Sequence, residues 1–130
     1  MSGAEGALRA RALELLSRDE ALAGIVHGIF DGTPPRASAP YVAVGAAEGA
    51  DWGTKDRPGR EVRLTLTLVG VGGAADDRAA ARVEAVVAAL RGPAGAWSVV
   101  GARTIRTRFT FARDGGWRHE VVVRCRCLAG

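Results

Sequence analysis

Between residues 61 and 69 the chain alternates without a break. Val62, Leu64, Leu66 and Leu68 stand against Arg63, Thr65 and Thr67. Successive side chains of a strand point to opposite faces, so this segment has one apolar face and one wet face. Such a strand belongs in a sheet that is covered on one side only. Two later segments repeat the pattern. Ile105, Thr107, Phe109 and Phe111 alternate with Arg106, Arg108 and Thr110. Val121, Val123, Cys125 and Cys127 alternate with Glu120, Val122, Arg124 and Arg126. Arg113-Asp114-Gly115-Gly116 between them is a hairpin signal. Shorter strands are predicted over 26–31, broken by Thr33-Pro34-Pro35, over 40–45, and over 96–100 with a turn at Gly101.

The cover for the apolar face comes from two helical stretches. Leu8, Ala12, Leu15 and Leu16 share one face of a helix over 4–16. Ser17-Arg18-Asp19-Glu20 has the form of a capping box and starts a short second turn that Leu22 docks. Val83, Val86, Val87 and Leu90 form the stripe of a helix over 76–91, opened by Asp76 and Asp77 and stopped by Gly92-Pro93. The expectation is one α+β domain over residues 1–130, with two main helices packed on one face of a curved, mostly antiparallel sheet. Residues 46–60 are rich in Gly and charge and are expected to form a long loop, a length that compact domains usually reserve for function.

Several function classes are excluded by what the sequence lacks. The apolar runs fall far short of the ~20 residues that span a bilayer, and residues 1–11 have no signal-peptide apolar core. Synthesis and folding in the cytoplasm are therefore expected, without membrane contact. Gly70-Val71-Gly72-Gly73-Ala74-Ala75 imitates a dinucleotide fingerprint. The strand before it alternates, whereas a central parallel strand is apolar throughout. Asp76 and Asp77 would repel a pyrophosphate at the helix start. Cys125 and Cys127 lie about 7 Å apart on one strand face, but zinc needs four ligands. His119 shares their face about 20 Å away, so the pair reads as small buried hydrophobes. No nucleophile elbow, zincin helix or P-loop occurs. An enzyme, a cofactor and a metal are not expected.

Charge is more informative in its distribution than in its sum. Residues 1–60 carry a net −1, residues 61–102 a net 0 and residues 103–130 a net +5. Arg106 and Arg108 on one predicted strand, and Arg124 and Arg126 on its hairpin partner, share the face opposite the core. This is either a solvated sheet face or a surface for acidic partners or nucleic acid. Trp117 is the only aromatic nearby that could stack on a base, thin for a single-strand binder. In the loop, Trp52 either anchors a partner or folds back onto its own domain.

The ordered series of short motifs resembles one family. It runs from the N-terminal helix and Asp19-Glu20-Ala21-Leu22 through Ile29-Phe30-Asp31, Pro34-Pro35 and Ala39-Pro40-Tyr41-Val42. It continues with Asp51-Trp52-Gly53-Thr54-Lys55 and Glu61-Val62-Arg63-Leu64-Thr65-Leu66. The Ala-rich helix and the closing arginine-rich strand complete it. Together they resemble the tail-completion, or tail-terminator, proteins of long-tailed bacteriophages, prophages and gene transfer particles. That family often carries a bulky polar residue in the turn after the central strand, where Gly70-Val71-Gly72-Gly73 stands here.

The resemblance implies a non-enzymatic structural protein that forms a ring, usually of six subunits, on the head-proximal end of the tail tube. The ring ends tube growth and joins the tail to the stopper or connector of the head, and DNA passes through its channel without sequence-specific binding. The protein would assemble in the bacterial cytoplasm and end in the particle. Asp51, Trp52, Lys55, Asp56 and Arg57 would then meet the tube or neck. Arg106, Arg108, Arg124 and Arg126 would meet neighbouring subunits or the channel. A head-completion or stopper protein and a basic nucleic-acid-binding domain are the alternatives.

Overall fold

The computed structural model of the chain describes residues 3–72 and 77–130. Helix α1 (Ala4–Arg18) buries Ala4, Ala7, Leu8, Ala12 and Leu16, the spacing of one helical face. It ends at Asp19, whose backbone is extended and whose carboxylate accepts from the Leu22 backbone N–H at 2.8 Å. The cap of α2 (Glu20–Ala23) is therefore Asp19 and not Ser17, because α1 continues through Ser17. Helix α3 (Asp77–Ala88) buries Ala79, Val83, Val86 and Val87. Asp76 and residues 73–75 of the glycine-rich segment lie outside the described residues.

Six strands form one curled mixed sheet in the order β1-β2-β3-β6-β5-β4. They are β1 (Ile29–Asp31), β2 (Tyr41–Asp51), β3 (Gly59–Val71), β4 (Gly92–Ala94), β5 (Trp97–Phe111) and β6 (Gly116–Ala129). Only β1 and β2 run parallel; the other pairs are antiparallel. The helices lie on the face that carries Val62, Leu64, Leu66, Leu68, Val121, Val123, Cys125 and Cys127, all buried. Fully burying each such Leu or Val contributes about 1.5–3 kcal/mol, so this one layer holds the domain together.

Arginines seal the layer at its margins. Arg9 Nε donates to the Gly45 carbonyl and Nη2 to the Val44 carbonyl, both at 2.8 Å, and Arg9 also pairs with Asp31. Arg11 donates to the Leu90 and Arg91 carbonyls at 2.7 and 2.8 Å, covering acceptors in the turn that follows α3. Arg82 of α3 grips Asp19 through two hydrogen bonds of 3.2 and 2.6 Å. That pairing holds the Asp19 carboxyl below its ordinary value, helped by the Leu22 N–H.

Two expectations are corrected by the strand boundaries. Residues 46–51 are not loop: β2 continues to Asp51 past a bulge between Val44 and Ala47, and β3 begins at Gly59. The expected loop over 46–60 shrinks to a hairpin tip at 52–58. Ala and Gly are poor strand formers, but here the ladder to β3 decides, and the Glu5 carboxylate lies so close over Gly49 that a Cβ would collide with it. Gly101 is not a turn either. β5 runs unbroken from Trp97 to Phe111, with bulges between Val99 and Gly101 and between Thr104 and Arg106. The fourteen residues of β6 supply one continuous partner, so extra residues are absorbed as bulges.

Gly70 is likewise within β3, opposite Trp117. A Cβ there would fall inside the Trp117 indole. Glycine at this place is a seat for the tryptophan rather than a flexible turn.

Candidate functional site

Cross-strand partners point to the same face of a sheet, so the register defines the composition of the uncovered face. Glu48 of β2 lies opposite Arg63 of β3, Arg63 opposite Arg124 of β6, and Arg124 opposite Arg103 of β5. The neighbouring rows bring Glu61 beside Arg126, Val122 beside Arg106, and Glu120 beside Arg108. Three arginines thus stand side by side on adjacent strands, a like-charge arrangement that destabilises a sheet unless an anion joins it. Arg126 is neutralised within the chain by Glu61 at 3.1 Å.

The four expected arginines do share the uncovered face, but they are not one compact cluster. The bulge at Thr104/Arg106 places Arg106 and Arg108 opposite Val122 and Glu120, away from Arg124. Arg103 and Arg63 take the places beside Arg124. The sequence reading missed both, because strand pairing and bulges, not periodicity, put them there.

The tip residues separate into fixed and free ones. Trp52 lies against the Arg126 guanidinium, whose carbon is 5.2 Å from the ring centroid. This joins one residue of the expected partner-contact set to one of the expected subunit-contact set. Arg57 donates from Nε and Nη2 to the Ala129 carbonyl at 3.0 and 2.6 Å, which turns its charge toward the end of β6. The Pro58 carbonyl accepts from the Ala129 N–H at 3.0 Å, and the Gly59 carbonyl from the Trp52 N–H at 2.9 Å. Asp51 accepts from the Gly53 N–H at 3.2 Å. Lys55 and Asp56 remain exposed at the turn. The tip is therefore a short structured hairpin end bound to the sheet.

A second surface was not visible in the sequence reading. At the far end of the β5/β6 hairpin, Phe111 is 65% exposed and Phe109 39%. Phe109 stacks on Trp117 with centroids 5.7 Å apart and meets Phe111 edge-on at 5.1 Å. Trp117 itself is buried, and its indole N–H has no hydrogen-bond acceptor among the described residues. It is closed over Gly70 and so unavailable for stacking on a base. Alternation puts Phe109 and Phe111 on the core face, and the register agrees, since Phe111 lies opposite Trp117. Among the described residues nothing covers Phe111 at this end of the hairpin.

Cys125 and Cys127 are both buried on the core face. Burial pushes the Cys125 thiol up to about 12, with Cys127 adding to it, and the Cys127 thiol up to about 11, with Glu5 adding to it. They pack as small hydrophobes. No cluster of three or more metal-ligating side chains exists among the described residues. Among them, too, no helix is long and apolar enough to cross a membrane. What the arrangement offers chemically is contact: a basic sheet face, an aromatic-cation tip and an exposed aromatic end.

A family model described as Tail completion protein gp17 matches residues 10–129. A chain in the solved structure of the virion of a native gene transfer agent (GTA) particle superposes with a TM-score of 0.79. It is 27% identical, and the alignment covers 98% of this chain and 100% of that one. No curated protein matches the sequence.

Proposed function

The chain belongs to the family of Tail completion protein gp17 and is a structural protein of a phage-like tail; on that premise we propose that it forms a ring on the head-proximal end of the tail tube. The ring stops tube polymerisation and presents a docking surface to the neck of the head. The observation that carries this reading is the extent of the family match, which runs over residues 10–129 and so takes in the sheet, α3 and the second half of α1 rather than one shared motif. The size of the ring is six in this reading, after the family.

The surfaces divide the work. The tip, with Asp51, Trp52, Lys55 and Asp56, faces the tube or the neck, and Arg57 holds it to β6. Trp52 on Arg126 is a rigid aromatic anchor of the kind that dominates interface energies. Arg106, Arg108, Arg124 and Arg126 face neighbouring subunits in preference to DNA. A channel that gripped DNA tightly would impede its passage, and a DNA-gripping face would show binding that falls steeply with salt. In this reading the protein assembles in the cytoplasm and is carried into the particle.

The test is a tube-growth assay. Purified protein added to polymerising tube protein should cap ends and shorten the tubes. Tube lengths unchanged at a molar excess of the protein would reject the capping role.

A further inference from the structure

The sheet has two incomplete edges, and they match. β1 covers β2 only at Val42–Val44, so residues 46–51 have no strand on their outer side among the described residues. β4 covers β5 only at Trp97–Val99, which leaves residues 100–111 without a strand on their outer side among the described residues. Unpaired edges of this kind are templates for another chain. The register puts the two gaps at the same level of the sheet, because the row through Glu48 is the row that ends at Arg103. β1 and β4 flank the gap from opposite ends, one on each edge.

The strands at the two edges also run in opposite directions. β2 is antiparallel to β3, β3 to β6 and β6 to β5. A second copy placed beside the first in the same orientation would therefore bring its β2 antiparallel to β5.

Charge selects this arrangement over the symmetric ones. Glu48 at the β2 edge is exposed and makes no ion pair among the described residues, and the same holds for Arg103 at the β5 edge. Pairing β5 with β5 would set Arg103, Arg106 and Arg108 against themselves, and pairing β2 with β2 would set Glu48 and Asp51 against themselves. Like charges facing across strands disfavour both. A cleft of about 370 Å³ beside the β5 edge is lined by Arg91, Arg103, Arg124 and Arg126, with no acidic side chain in its wall.

We propose that residues 46–51 of one copy pair antiparallel with the β5 edge of the next near residues 100–104, with Glu48 of one copy seated beside Arg103 and Arg124 of its neighbour. The contact is heterologous, each copy using one edge to give and the other to receive, and a heterologous contact closes into a ring when its rotation allows. The chain's own Glu48 stands at the β2 end of the row of three arginines, and the neighbour's Glu48 would supply an anion at its Arg103 end. This inference rests on the ring reading above and specifies the joint within it.

Two measurements test it. The first pairs Glu48→Cys with Arg103→Cys in one chain and oxidises assembled particles. Directly opposed antiparallel residues have Cα atoms about 4.5–5.5 Å apart, within disulfide reach. A ladder of covalent oligomers on a non-reducing gel is expected, and none from either single variant, since Cys125 and Cys127 are buried. The second measures self-association by sedimentation. Arg103→Glu should weaken it at least about tenfold, Glu48→Arg likewise, and the two together should restore it.

The absence of any ladder from a double variant that melts like the wild type overturns the joint. So does failure of the combined charge reversal to restore assembly, or a wild-type chain that does not self-associate. A ladder from particles whose tails end normally without the protein would instead retain the joint and reject the terminator reading.

Discussion

Gly70→Ala is a sensitive probe of how the far end of the sheet is built. Gly70 lies in β3 opposite Trp117, and an added Cβ would overlap the indole ring at three of its carbon atoms. The indole has little freedom to retreat, since it is 2% exposed and Phe109 stacks on it. Overpacking of this kind costs about 1–3 kcal/mol. In a chain of 130 residues, each kcal/mol lowers the midpoint by about 4 °C, so a fall of about 4–12 °C is expected. Without the indole contact the sign would reverse, because Gly→Ala at an unstrained position stabilises by about 0.4–1 kcal/mol through the unfolded chain. Thermal melts followed by circular dichroism and tryptophan fluorescence give the value. Repeating Gly70→Ala in a Trp117→Val background isolates the contact, and there the penalty should vanish. A midpoint equal to or above that of the wild type, or the same penalty in both backgrounds, would refute the packing argument.

Trp52→Ala removes a half-buried cation–π contact worth about 0.5–1 kcal/mol; the fold should survive with a midpoint within about 4 °C, while particles should lose tail-to-head joining, and normal particles would remove Trp52 from the contact surface. Native protein at pH 8 should resist a thiol reagent at Cys125 and Cys127, whose thiols burial pushes up to about 12 and about 11, and should react fully once unfolded; labelling as fast as in denaturant would contradict their burial. Asp19 and Glu5 both have carboxyls held below their ordinary values, Asp19 by the Arg82 and Leu22 hydrogen bonds and Glu5 by a backbone hydrogen bond and Arg60. A depressed folded-state value contributes stability that is present above the unfolded value and lost as pH falls through the folded one. Stability should thus decline below about pH 4.5, and Asp19→Ala should flatten part of that decline while costing about 1 kcal/mol for the lost cap; an unchanged pH profile in the variant would show that Asp19 carries none of it.

The parts of the fold that follow a fixed period were legible in the sequence. Val62 to Leu68, Val121 to Cys127 and the stripe of α3 each assign their own inward face, and all are buried. The parts that depend on a partner strand were not. Residues 46–51 have the composition of a loop and become strand because β3 offers them a ladder. Gly101 looks like a stop and is carried through because β6 is continuous. The candidate surface shows the same division. That Arg106, Arg108, Arg124 and Arg126 share a face follows from alternation. That Arg124 stands between Arg63 and Arg103 follows only from register and bulges, and that Trp52 rests on Arg126 follows only from the hairpin closing over the end of β6. The Gly70 seat needs a contact between residues 47 positions apart, which no local pattern announces.

As the proposed cap of the tube, this chain should end tube growth and join the tail to the head. Electron microscopy of particles produced without the protein tests it most directly. Tails of uncontrolled length, or tails without heads, are the predicted result, reversed when the wild-type chain is supplied from elsewhere. Particles with tails of normal length joined to heads would contradict it.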